Sequence, residues 1–478
     1  MSARPKGRIT KAQHCKNVLS ERADIINYVP TKDAFLCRTY IIKNVKMDIP
    51  ELYKIFTEHP VVTTDSRDCP EGSLFFALKG ASFNGNAFAA KALDEGCAYA
   101  VIDEKQYAAE GDGRYILVDD CLKTLQQLAN HHRRELGTRI VGITGTNGKT
   151  TTKELLAAVL GERYNVLYTE GNFNNDIGVP KTLLRLTKEH DIAVIEMGAS
   201  HPGDIKTLVD IVEPDCGLIT NVGRAHLQGF GSFEGVIRTK GELYDYLRAH
   251  GGTAFVNAGD EHLMGIAHGL DIVKYGIGGT EGAKVEGEVT VCDPYLNFRW
   301  RTEGGPWRDV RTHIIGSYNL MNMLAAACVG LHFGVTPEQT IHALASYVPR
   351  NNRSELEQTA HNSLIIDAYN ANPTSMAAAL ANFRDMKADR KMAILGDMNE
   401  LGAVSGEEHQ RVADFLQSAG FDLVWLVGPE FGKTECTFRK FKDVDEVKKE
   451  LEASRPEGFC ILIKGSNSIR LYQLKEWL

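Results

Sequence analysis

The stretch RIVGITGTNGKTTT, Arg139 to Thr152, decides the fold of this chain. Its apolar first part predicts a buried strand over Ile140–Ile143, followed by a glycine-rich turn and a helix that begins near Lys149. Gly145 and Gly148 allow backbone angles that other residues avoid, and they let the main chain approach a ligand closely. The unpaired N–H groups and the positive dipole end of the following helix attract an anion.

The side chains of this turn indicate a phosphate-binding loop. Lys149 adds a point charge, and Thr150 or Thr151 offers a hydroxyl group to Mg²⁺. The spacing departs from the general GxxxxGK[ST] pattern, because Ile143 stands where the first glycine belongs. The alternative is an ordinary strand–turn–helix corner, but a corner has no need of two glycines, a lysine and three threonines together. We therefore predict phosphate binding by Gly145, Thr146, Asn147, Gly148, Lys149, Thr150 and Thr151.

The string TGTNGKTT within this loop is more specific than the general pattern. It resembles the ATP-binding loop of the Mur ligases and of their relatives, the folylpolyglutamate synthases. The resemblance implies ATP-driven formation of an amide bond, and the rest of the chain must decide between the members of this superfamily.

Length and composition limit the class of protein. The 478 residues predict about three domains, and the 43% hydrophobic and 24% charged content is typical of a soluble globular protein. The formal net charge of −8 argues against general nucleic-acid affinity. No apolar run approaches the ~20 residues that span a bilayer, and the N-terminus lacks the apolar segment of a secretory signal. Ten cysteines occur without a CxxC pair, which indicates reduced thiols and a cytoplasmic location.

A change of character at Met47 divides the chain. Residues 1–46 are basic and aperiodic, and we interpret them as a leader that is not native or, alternatively, as a disordered or loosely docked extension. Beyond them we predict an α/β protein, and the resemblance to the Mur ligases implies an N-terminal UDP-substrate-binding domain over 47–130 and a central ATP-binding domain over 131–348. The central domain should carry a doubly wound, parallel sheet of the P-loop type, because strands and helices alternate along it. Residues 349–478 should form a Rossmann-like, C-terminal ligase domain.

The N-terminal domain contains a second resemblance to the Mur ligases. The string DSR, a strand ending in FALKG and a GxxF turn resemble the UDP-binding domain of that family. The resemblance implies that Ser66, Arg67 and Lys79 face the uridine diphosphate, and the planar fork of arginine suits a diphosphate. The family commonly has D-G-H in the glycine turn, whereas this chain has Asn84-Gly85-Asn86. Taken alone, DSR is more often a solvated turn.

Ligands of parallel sheets bind at the carboxyl ends of the strands, so we expect binding residues at the end of each predicted strand. The strand Asp191–Met197 places Glu196 at such an end, where its carboxylate could hold Mg²⁺ beside the phosphates. A capping or salt-bridged surface acid is the alternative. The neighbouring phosphate loop favours the metal-binding interpretation.

Two loops of the central domain resemble substrate and metal segments of the family. The segment TNVGRAHLQGFGS carries His226, and the resemblance implies that this histidine reaches a second metal ion. The segment GNFNNDIGVPKTLL resembles the loop that meets the muramoyl part of the substrate, with Asn174 as its contact. An asparagine-rich turn is a nearly equal explanation for any one of these asparagines.

Lys240 lies on a predicted helix among apolar neighbours. Val236, Ile237, Leu243 and Tyr244 occupy the positions three and four residues away, which places the lysine on the buried face. A buried ammonium group is costly unless it is paired or neutralised, although a lysine can also extend its amine to solvent. The family resemblance implies that this lysine is carbamylated and becomes an anionic metal ligand.

The nucleotide side of the predicted site draws on two further segments. Asn319 and Asn322 lie one helical turn apart in GSYNLMNMLAAACVG and match asparagines of the family on the nucleotide side, with helix capping as the alternative for Asn319. Arg353 follows the predicted linker between the second and third domains, from which it could reach the nucleotide.

The C-terminal domain should present one binding face at three strand ends. Asp367 is predicted on the nucleotide side, and Asn370, Asn372, Lys464 and Ser466 on the substrate side. The polar or small residues at these ends are Asp367, Asn370 and Asn372, then Gly396 and Asp397, and finally Lys464, Gly465 and Ser466.

The strings DAYNANP, LGDMNELG and KGS together resemble the family member that adds D-alanyl-D-alanine to a UDP-N-acetylmuramoyl tripeptide. The implied reaction of peptidoglycan synthesis uses ATP to form an acyl phosphate, which the dipeptide amine attacks. Catalysis would rest on Lys149, Glu196, His226 and Lys240, with two Mg²⁺ ions held by Thr150, Glu196, His226 and modified Lys240. We expect a monomer that neither binds nucleic acid nor inserts into membranes. A folylpolyglutamate synthase-like ligase and a non-catalytic nucleotide-binding scaffold remain as alternatives.

Overall fold

The computed structural model describes residues 47–349 and 355–478, which form three α/β regions, each built on its own sheet. The predicted extension over residues 1–46 and the predicted nucleotide contact Arg353 lie outside the described residues. Within the described ranges, no helix is both long and apolar enough to cross a membrane.

The N-terminal region has a four-stranded, all-parallel sheet in the order β1-β2-β3-β4. Its first helix begins where the sequence changes character, because the Asp48 carboxylate accepts the Glu51 N–H at 2.9 Å and caps the helix. Leu52 and Phe56 bury the inner face of that helix. The elements are α1 (Ile49–Glu58), β1 (Val62–Thr63), β2 (Leu74–Phe76), α2 (Ala89–Asp94), β3 (Tyr99–Ile102), β4 (Tyr115–Leu117) and α3 (Cys121–Leu136).

The central region has a nine-stranded sheet in the order β13-β12-β11-β10-β9-β8-β5-β7-β6. Its first part comprises β5 (Arg139–Thr144), α4 (Lys149–Gly161), β6 (Val166–Tyr168), α5 (Gly178–Leu183), β7 (Ile192–Glu196), α6 (Asp204–Val212), β8 (Cys216–Ile219), α7 (Leu227–Phe230) and α8 (Phe233–His250). Its second part comprises β9 (Thr253–Asn257), α9 (Glu261–Ile266), β10 (Asp271–Ile277), β11 (Val285–Cys292), β12 (Tyr295–Thr302), β13 (Arg308–Ile315), α10 (Leu320–His332) and α11 (Pro337–Ser346).

The winding of this sheet reverses at β5. The chain first adds β7 and β6 on one side of β5 and then β8, β9 and β10 on the other, so the loop after β5 occupies the switch point where such sheets bind ligands. Helices α4, α10 and α11 pack against the sheet in a core that includes Leu155, Val159 and Leu324. Helices α6 and α8 lie outside this core and pack against each other. The doubly wound α/β fold predicted from the alternating pattern is confirmed.

The prediction of a parallel sheet throughout the central domain is wrong at one end. Strands β11, β12 and β13 pair antiparallel, through two hairpins that need no crossover helix. The burial of Leu296, Phe298 and Trp300 on alternate positions of β12 shows one covered face, which is the pattern of an antiparallel extension.

The C-terminal region has a six-stranded sheet in the order β14-β15-β19-β16-β17-β18, parallel except for the pair β14–β15. Apolar cores lie on both of its faces, as the Rossmann-like prediction requires. Its elements are β14 (Glu355–Gln358), β15 (Ser363–Asp367), α12 (Pro373–Asp385), β16 (Lys391–Gly396), α13 (Ser405–Ser418), β17 (Leu423–Val427), α14 (Pro429–Gly432), β18 (Arg439–Phe441), α15 (Val444–Ala453) and β19 (Cys460–Lys464).

Candidate functional site

The loop between β5 and α4 has the backbone that its two glycines predict. Gly145 has φ +143° and Gly148 has φ +78°, both in the region that favours glycine. A Cβ atom on Gly145 would lie 2.0 Å from Thr220 Oγ1, and one on Gly148 would lie 2.7 Å from Asn322 Oδ1. The loop therefore combines positive φ angles with a packing that leaves no room for a side chain at either position.

The loop is held by its own lysine. Lys149 Nζ donates to the carbonyl oxygens of Gly145 at 2.7 Å and Thr146 at 3.0 Å. From β8, the Thr220 hydroxyl donates to Asn147 O at 2.6 Å, which fixes the tip of the loop against the next strand. The cationic group thus already stands at the helix N-terminus, where an anion would bind.

A cavity of about 820 Å³ opens beside this loop, with walls from both the central and the C-terminal regions. Its volume is within the range of ligand-binding clefts. The predicted site residues in its wall are Thr146, Asn147, Gly148, Lys149, Thr150, Thr151, Asn174, Glu196, His226, Asn319, Asn322, Asp367, Asn370, Asn372 and Lys464. The structure thus gathers most of the predicted residues around one space, although their roles stay predictions.

Glu196 ends β7 and is only 1% exposed. Its carboxylate accepts hydrogen bonds from Thr150 Oγ1 at 3.0 Å and from Asn174 Nδ2 at 2.8 Å. These two bonds place Glu196 beside the first turn of α4 and explain why a carboxylate can be buried there. The alternative of a surface acid is wrong, and Asn174 has a specific partner rather than serving only in a turn.

The residues around Glu196 fit one Mg²⁺ ion bound together with a nucleotide. Among the described residues, no three His, Cys, Asp or Glu side chains come together as a metal-binding group. Mg²⁺ does not need such a group, because it commonly takes one or two protein oxygens and fills its remaining positions with phosphate and water. The carboxylate of Glu196 and the hydroxyl of Thr150 supply that donor set.

His226 pairs with a residue that the sequence analysis missed. Its Nδ1 atom lies in a close ion-pair contact with the carboxylate of Glu400, on the loop after β16 in the C-terminal region. The close contact with His226 lowers the pKa of Glu400, while partial burial acts in the opposite direction. Glu400 lies in the quoted string LGDMNELG, but nothing in a local pattern identifies a partner so far away in the chain.

Lys240 is buried, with 2% of its surface exposed, as its four apolar helical neighbours predict. Its Nζ atom lies 3.5 Å from the carbonyl oxygen of Ala199 and 5.4 Å from the centroid of the Phe230 ring. The alternative, in which the amine reaches solvent, is wrong.

The charge state of Lys240 follows from its surroundings. Burial holds the pKa of its amine well below the usual value, and the charge of Lys149 lowers it further. Asp204 and Glu242 act in the opposite direction but more weakly. Both effects make loss of the proton easier, and the neutral amine is the form that can act as a nucleophile.

Asn319, which precedes α10, and Asn322, in its first turn, form a buried hydrogen-bond network. Asn319 Nδ2 donates to Ile315 O at 2.8 Å, and its Oδ1 accepts from Asn322 Nδ2 at 2.8 Å. Asn322 Oδ1 in turn accepts from the Thr152 hydroxyl at 3.1 Å. Helix capping by the Asn319 side chain is wrong, because no capping bond forms there. The network instead ties α10 to the phosphate-loop helix.

The strand ends of the C-terminal region contribute unequally to the cavity. Lys464 Nζ, 1% exposed, contacts Asp367 Oδ2 at 2.6 Å. The prediction of one face is wrong for Asp397, because its carboxylate turns away and accepts the N–H groups of Glu430 and Phe431, both at 2.8 Å. Ser466 lies outside the cavity wall, and its hydroxyl accepts the N–H of Asn399 at 2.9 Å. This geometry favours a structural role over the predicted contact of Ser466 with substrate.

The predicted uridine contacts lie outside the cavity wall, in the N-terminal region. Arg67 is ion-paired with Asp65 at 2.7 Å, and its side chain is 82% exposed. Lys79 Nζ lies 2.9 Å from both Asp103 and Glu104. The DSR segment thus forms the turn that the alternative describes, and the uridine contact of Ser66, Arg67 and Lys79 stays a prediction.

The fold and cavity define a nucleotide-binding α/β protein with three sheets. Family profiles match each region: "Mur ligase family, catalytic domain" over residues 60–133, "Mur ligase middle domain" over 143–330, and "Mur ligase, glutamate ligase domain" over 352–467. The chain belongs to the Mur ligase family.

Two curated relatives carry the same activity name. The UDP-N-acetylmuramoyl-tripeptide–D-alanyl-D-alanine ligase of Bacillus subtilis (strain 168) is 35% identical over 456 residues, covering 91% of this chain and 98% of that protein. The enzyme of the same name from Escherichia coli (strain K12) is 34% identical, covering 86% and 92%. The structure of MurF from Acinetobacter baumannii matches with TM-score 0.79 and 32% identity, covering 87% of this chain and 92% of that one. The structure of MurF from Thermotoga maritima in complex with ADP matches with TM-score 0.77 and 28% identity, covering 87% of this chain and 96% of that one.

Proposed function

We propose that this protein is the ATP-dependent ligase that joins D-alanyl-D-alanine to a UDP-N-acetylmuramoyl tripeptide in peptidoglycan synthesis. The observation that carries the proposal is a single cavity with the phosphate loop and Glu196 on one side and the Asp367–Lys464 pair on the other. Relatives of that activity align with nearly the whole chain.

The chemistry requires an activated acyl group. A free carboxylate is a poor electrophile, so the γ-phosphoryl group of ATP is first transferred to the terminal carboxylate of the tripeptide. The dipeptide amine then attacks the acyl phosphate, and phosphate leaves as the amide bond forms. The N–H groups at the start of α4 and the ammonium group of Lys149 stabilise charge that develops on the transferred group.

Glu196 and Thr150 would hold Mg²⁺ beside the phosphates. The ion would supply charge stabilisation to the phosphoryl oxygens. The amide of Asn174 holds Oε1 of Glu196 at 2.8 Å, and the Thr150 hydroxyl lies 3.0 Å from Oε2, so the two donors for the ion are already in contact.

We further propose that Lys240 is carbamylated and joins His226 at a second Mg²⁺ ion. The burial of the amine and its lowered pKa support this step, since the lone pair of the neutral amine can attack the carbon of CO₂, and the nitrogen then loses a proton to give a carbamate anion. The modified side chain would be an anionic ligand where an unmodified lysine would be a cation.

The three regions would each bring one reactant, with residues 47–130 binding UDP, 131–348 binding ATP and 349–478 binding the dipeptide. The nucleotide side includes Asn319, Asn322, Asp367 and Arg353, and the substrate side includes Ser66, Arg67, Lys79, Asn174, Asn370, Asn372 and Lys464, without Ser466, whose hydroxyl accepts the Asn399 N–H. All eight cysteines of the described ranges are free thiols, which supports action in the reducing cytoplasm.

The decisive experiment measures phosphate release from ATP with each combination of substrates. We expect release only when the UDP-linked tripeptide and D-alanyl-D-alanine are both present, and none from a folded Lys149→Ala variant. Release with a folate and glutamate would instead identify a folylpolyglutamate synthase-like ligase. Nucleotide binding without release under any combination would identify a scaffold.

A further inference from the structure

We infer that Glu400 is a positioning residue, which acts from the C-terminal region through His226 and completes the central site only when the two regions are in contact. The inference rests on the proposed ligase function, because it concerns a histidine in the wall of the same cavity. Glu400 itself lies outside that wall, so its effect must pass through the imidazole ring.

The backbone on both sides of this pair is unusual. His226 has φ +51° and Glu400 has φ +62°, and neither is a glycine. Side chains with a Cβ atom rarely adopt this region, and such residues persist where the surroundings hold them and where function requires the geometry. Two such residues, one on each side of the contact between regions, direct their side chains at each other.

Further contacts join the same two segments. Arg224 reaches from the central loop to Glu408 at 3.7 Å, and Glu408 is also held by Arg411 at 3.0 Å. Beside them, a Cβ atom on Gly402 would lie 3.4 Å from the side chain of Gln228, which is ordinary packing distance. The Glu400 contact is therefore part of a continuous interface rather than an isolated pair.

The consequence for His226 is a fixed ring with one nitrogen engaged. The Glu400 carboxylate lies in ion-pair contact with Nδ1, and the ring packs edge to face against Phe230, with the centroids 6.1 Å apart. A histidine whose one nitrogen is held by a carboxylate has a defined orientation, and its other nitrogen, Nε2, is a better electron-pair donor. Separation of the two regions would remove this constraint from the ring.

The competing explanation is a surface ion pair without effect on the site. Glu400 is 58% exposed, and exposed pairs contribute little to stability. The two explanations make different predictions, since a surface pair should influence neither the tautomer of His226 nor the turnover number.

The test compares Glu400→Gln and Glu400→Asp with Glu407→Gln, a matched control whose exposed side chain pairs with Arg411 at 2.6 Å in the same part of the C-terminal region. The first readout is the ¹⁵N NMR spectrum of the histidine rings in the ligand-free, metal-free protein, with His226 assigned from a His226→Asn variant. We expect Glu400→Gln to change the Nδ1 and Nε2 shifts of His226, Glu400→Asp to change them less, and Glu407→Gln to leave them alone.

The second readout is kinetic. We expect Glu400→Gln to lower kcat about tenfold or more, within the range for lost positioning of an active-site group, while the KM for ATP changes less than about twofold. Unchanged His226 shifts together with wild-type kcat in a folded Glu400→Gln protein would overturn the inference. The NMR comparison does not depend on which substrates are used, so a failure of the proposed function and a failure of this inference are distinguishable.

Discussion

The amide of Asn372 donates to Asn147 Oδ1 at 2.7 Å, and so connects the C-terminal region to the tip of the phosphate loop. The two residues are 225 positions apart in the chain. Asn372 also caps α12, because its Oδ1 accepts the N–H of Ser375 at 2.9 Å. One side chain therefore begins a helix of one region and contacts the ligand-binding loop of another.

Substitution of Asn372 by Asp should separate these two roles. Aspartate caps helices as well as asparagine does, so the Tm should stay within about 1 °C of the wild-type value. The KM for ATP should rise about tenfold, because an anion would contact Asn147 at the tip of the phosphate loop in place of an amide donor. Asn372→Ser is the matched control, since serine caps without charge, and an equal rise of KM in both variants would exclude repulsion as the cause.

Gly148→Ala should abolish nucleotide binding and also lower the free energy of unfolding. The added Cβ atom would meet Asn322 at 2.7 Å in a backbone with φ +78°, which costs about 1–2 kcal/mol in conformation alone. Gly161→Ala at the end of the same helix meets open space and should bind nucleotide normally. Calorimetric titration with ADP measures the affinity of both variants. Wild-type affinity in Gly148→Ala would show that the loop is not the phosphate site.

Thr150→Val should raise the Mg²⁺ concentration that gives half-maximal activity. Valine keeps the shape of threonine but removes the hydroxyl that contacts Glu196 at 3.0 Å, so one oxygen donor for the ion is lost. Thr150→Ser retains the hydroxyl and should resemble the wild type in a Mg²⁺ titration of phosphate release. Identical Mg²⁺ dependence of the Val and Ser variants would remove Thr150 from the metal site.

Lys240→Ala should impair phosphoryl transfer severely, and short carboxylates such as formate should restore part of the rate by filling the vacated space. In the wild-type protein, incubation with ¹³C-bicarbonate should give a carbamate carbon signal that is absent from Lys240→Ala and from Lys240→Arg. Full activity without any carbamate signal would show that this buried amine works unmodified.

Arg67→Ala should raise the KM for the UDP-linked tripeptide about tenfold or more, because hydrogen bonds to charged groups contribute about 1.5–3 kcal/mol. The KM for ATP should not change. Arg248→Ala, which removes an exposed arginine paired with Asp245 at 2.6 Å, serves as the control. Equal increases in the two KM values of Arg67→Ala would place this arginine away from the uridine side.

Local patterns predicted those features that depend on near neighbours in the chain. The burial of Lys240 followed from residues three and four positions away, and the position of Glu196 followed from the end of an apolar strand. The side-chain direction of Asp397 was predicted wrongly, because a residue at a strand end can point to either side, and the start of α14 offered it two N–H groups.

Long-range partners could not be predicted in this way. The contacts His226–Glu400 and Asn147–Asn372 join different regions, and no local periodicity encodes which loops will face each other. The antiparallel strands β11–β13 were missed for a related reason. The alternation of buried and exposed residues along each strand is a local pattern. Whether a strand runs parallel or antiparallel to its neighbour depends instead on the hairpins that connect these strands.

The two hydrogen bonds from Lys149 to the carbonyl oxygens of Gly145 and Thr146 have a consequence for ligand discrimination. An incoming ligand must exchange these bonds for its own rather than add new ones, and neutral oxygens offer no net gain in such an exchange. Only oxygens with substantial negative charge make the exchange favourable. The loop thus favours ligands that bring ionised oxygens to Lys149 over uncharged nucleosides, before shape or base recognition has any part.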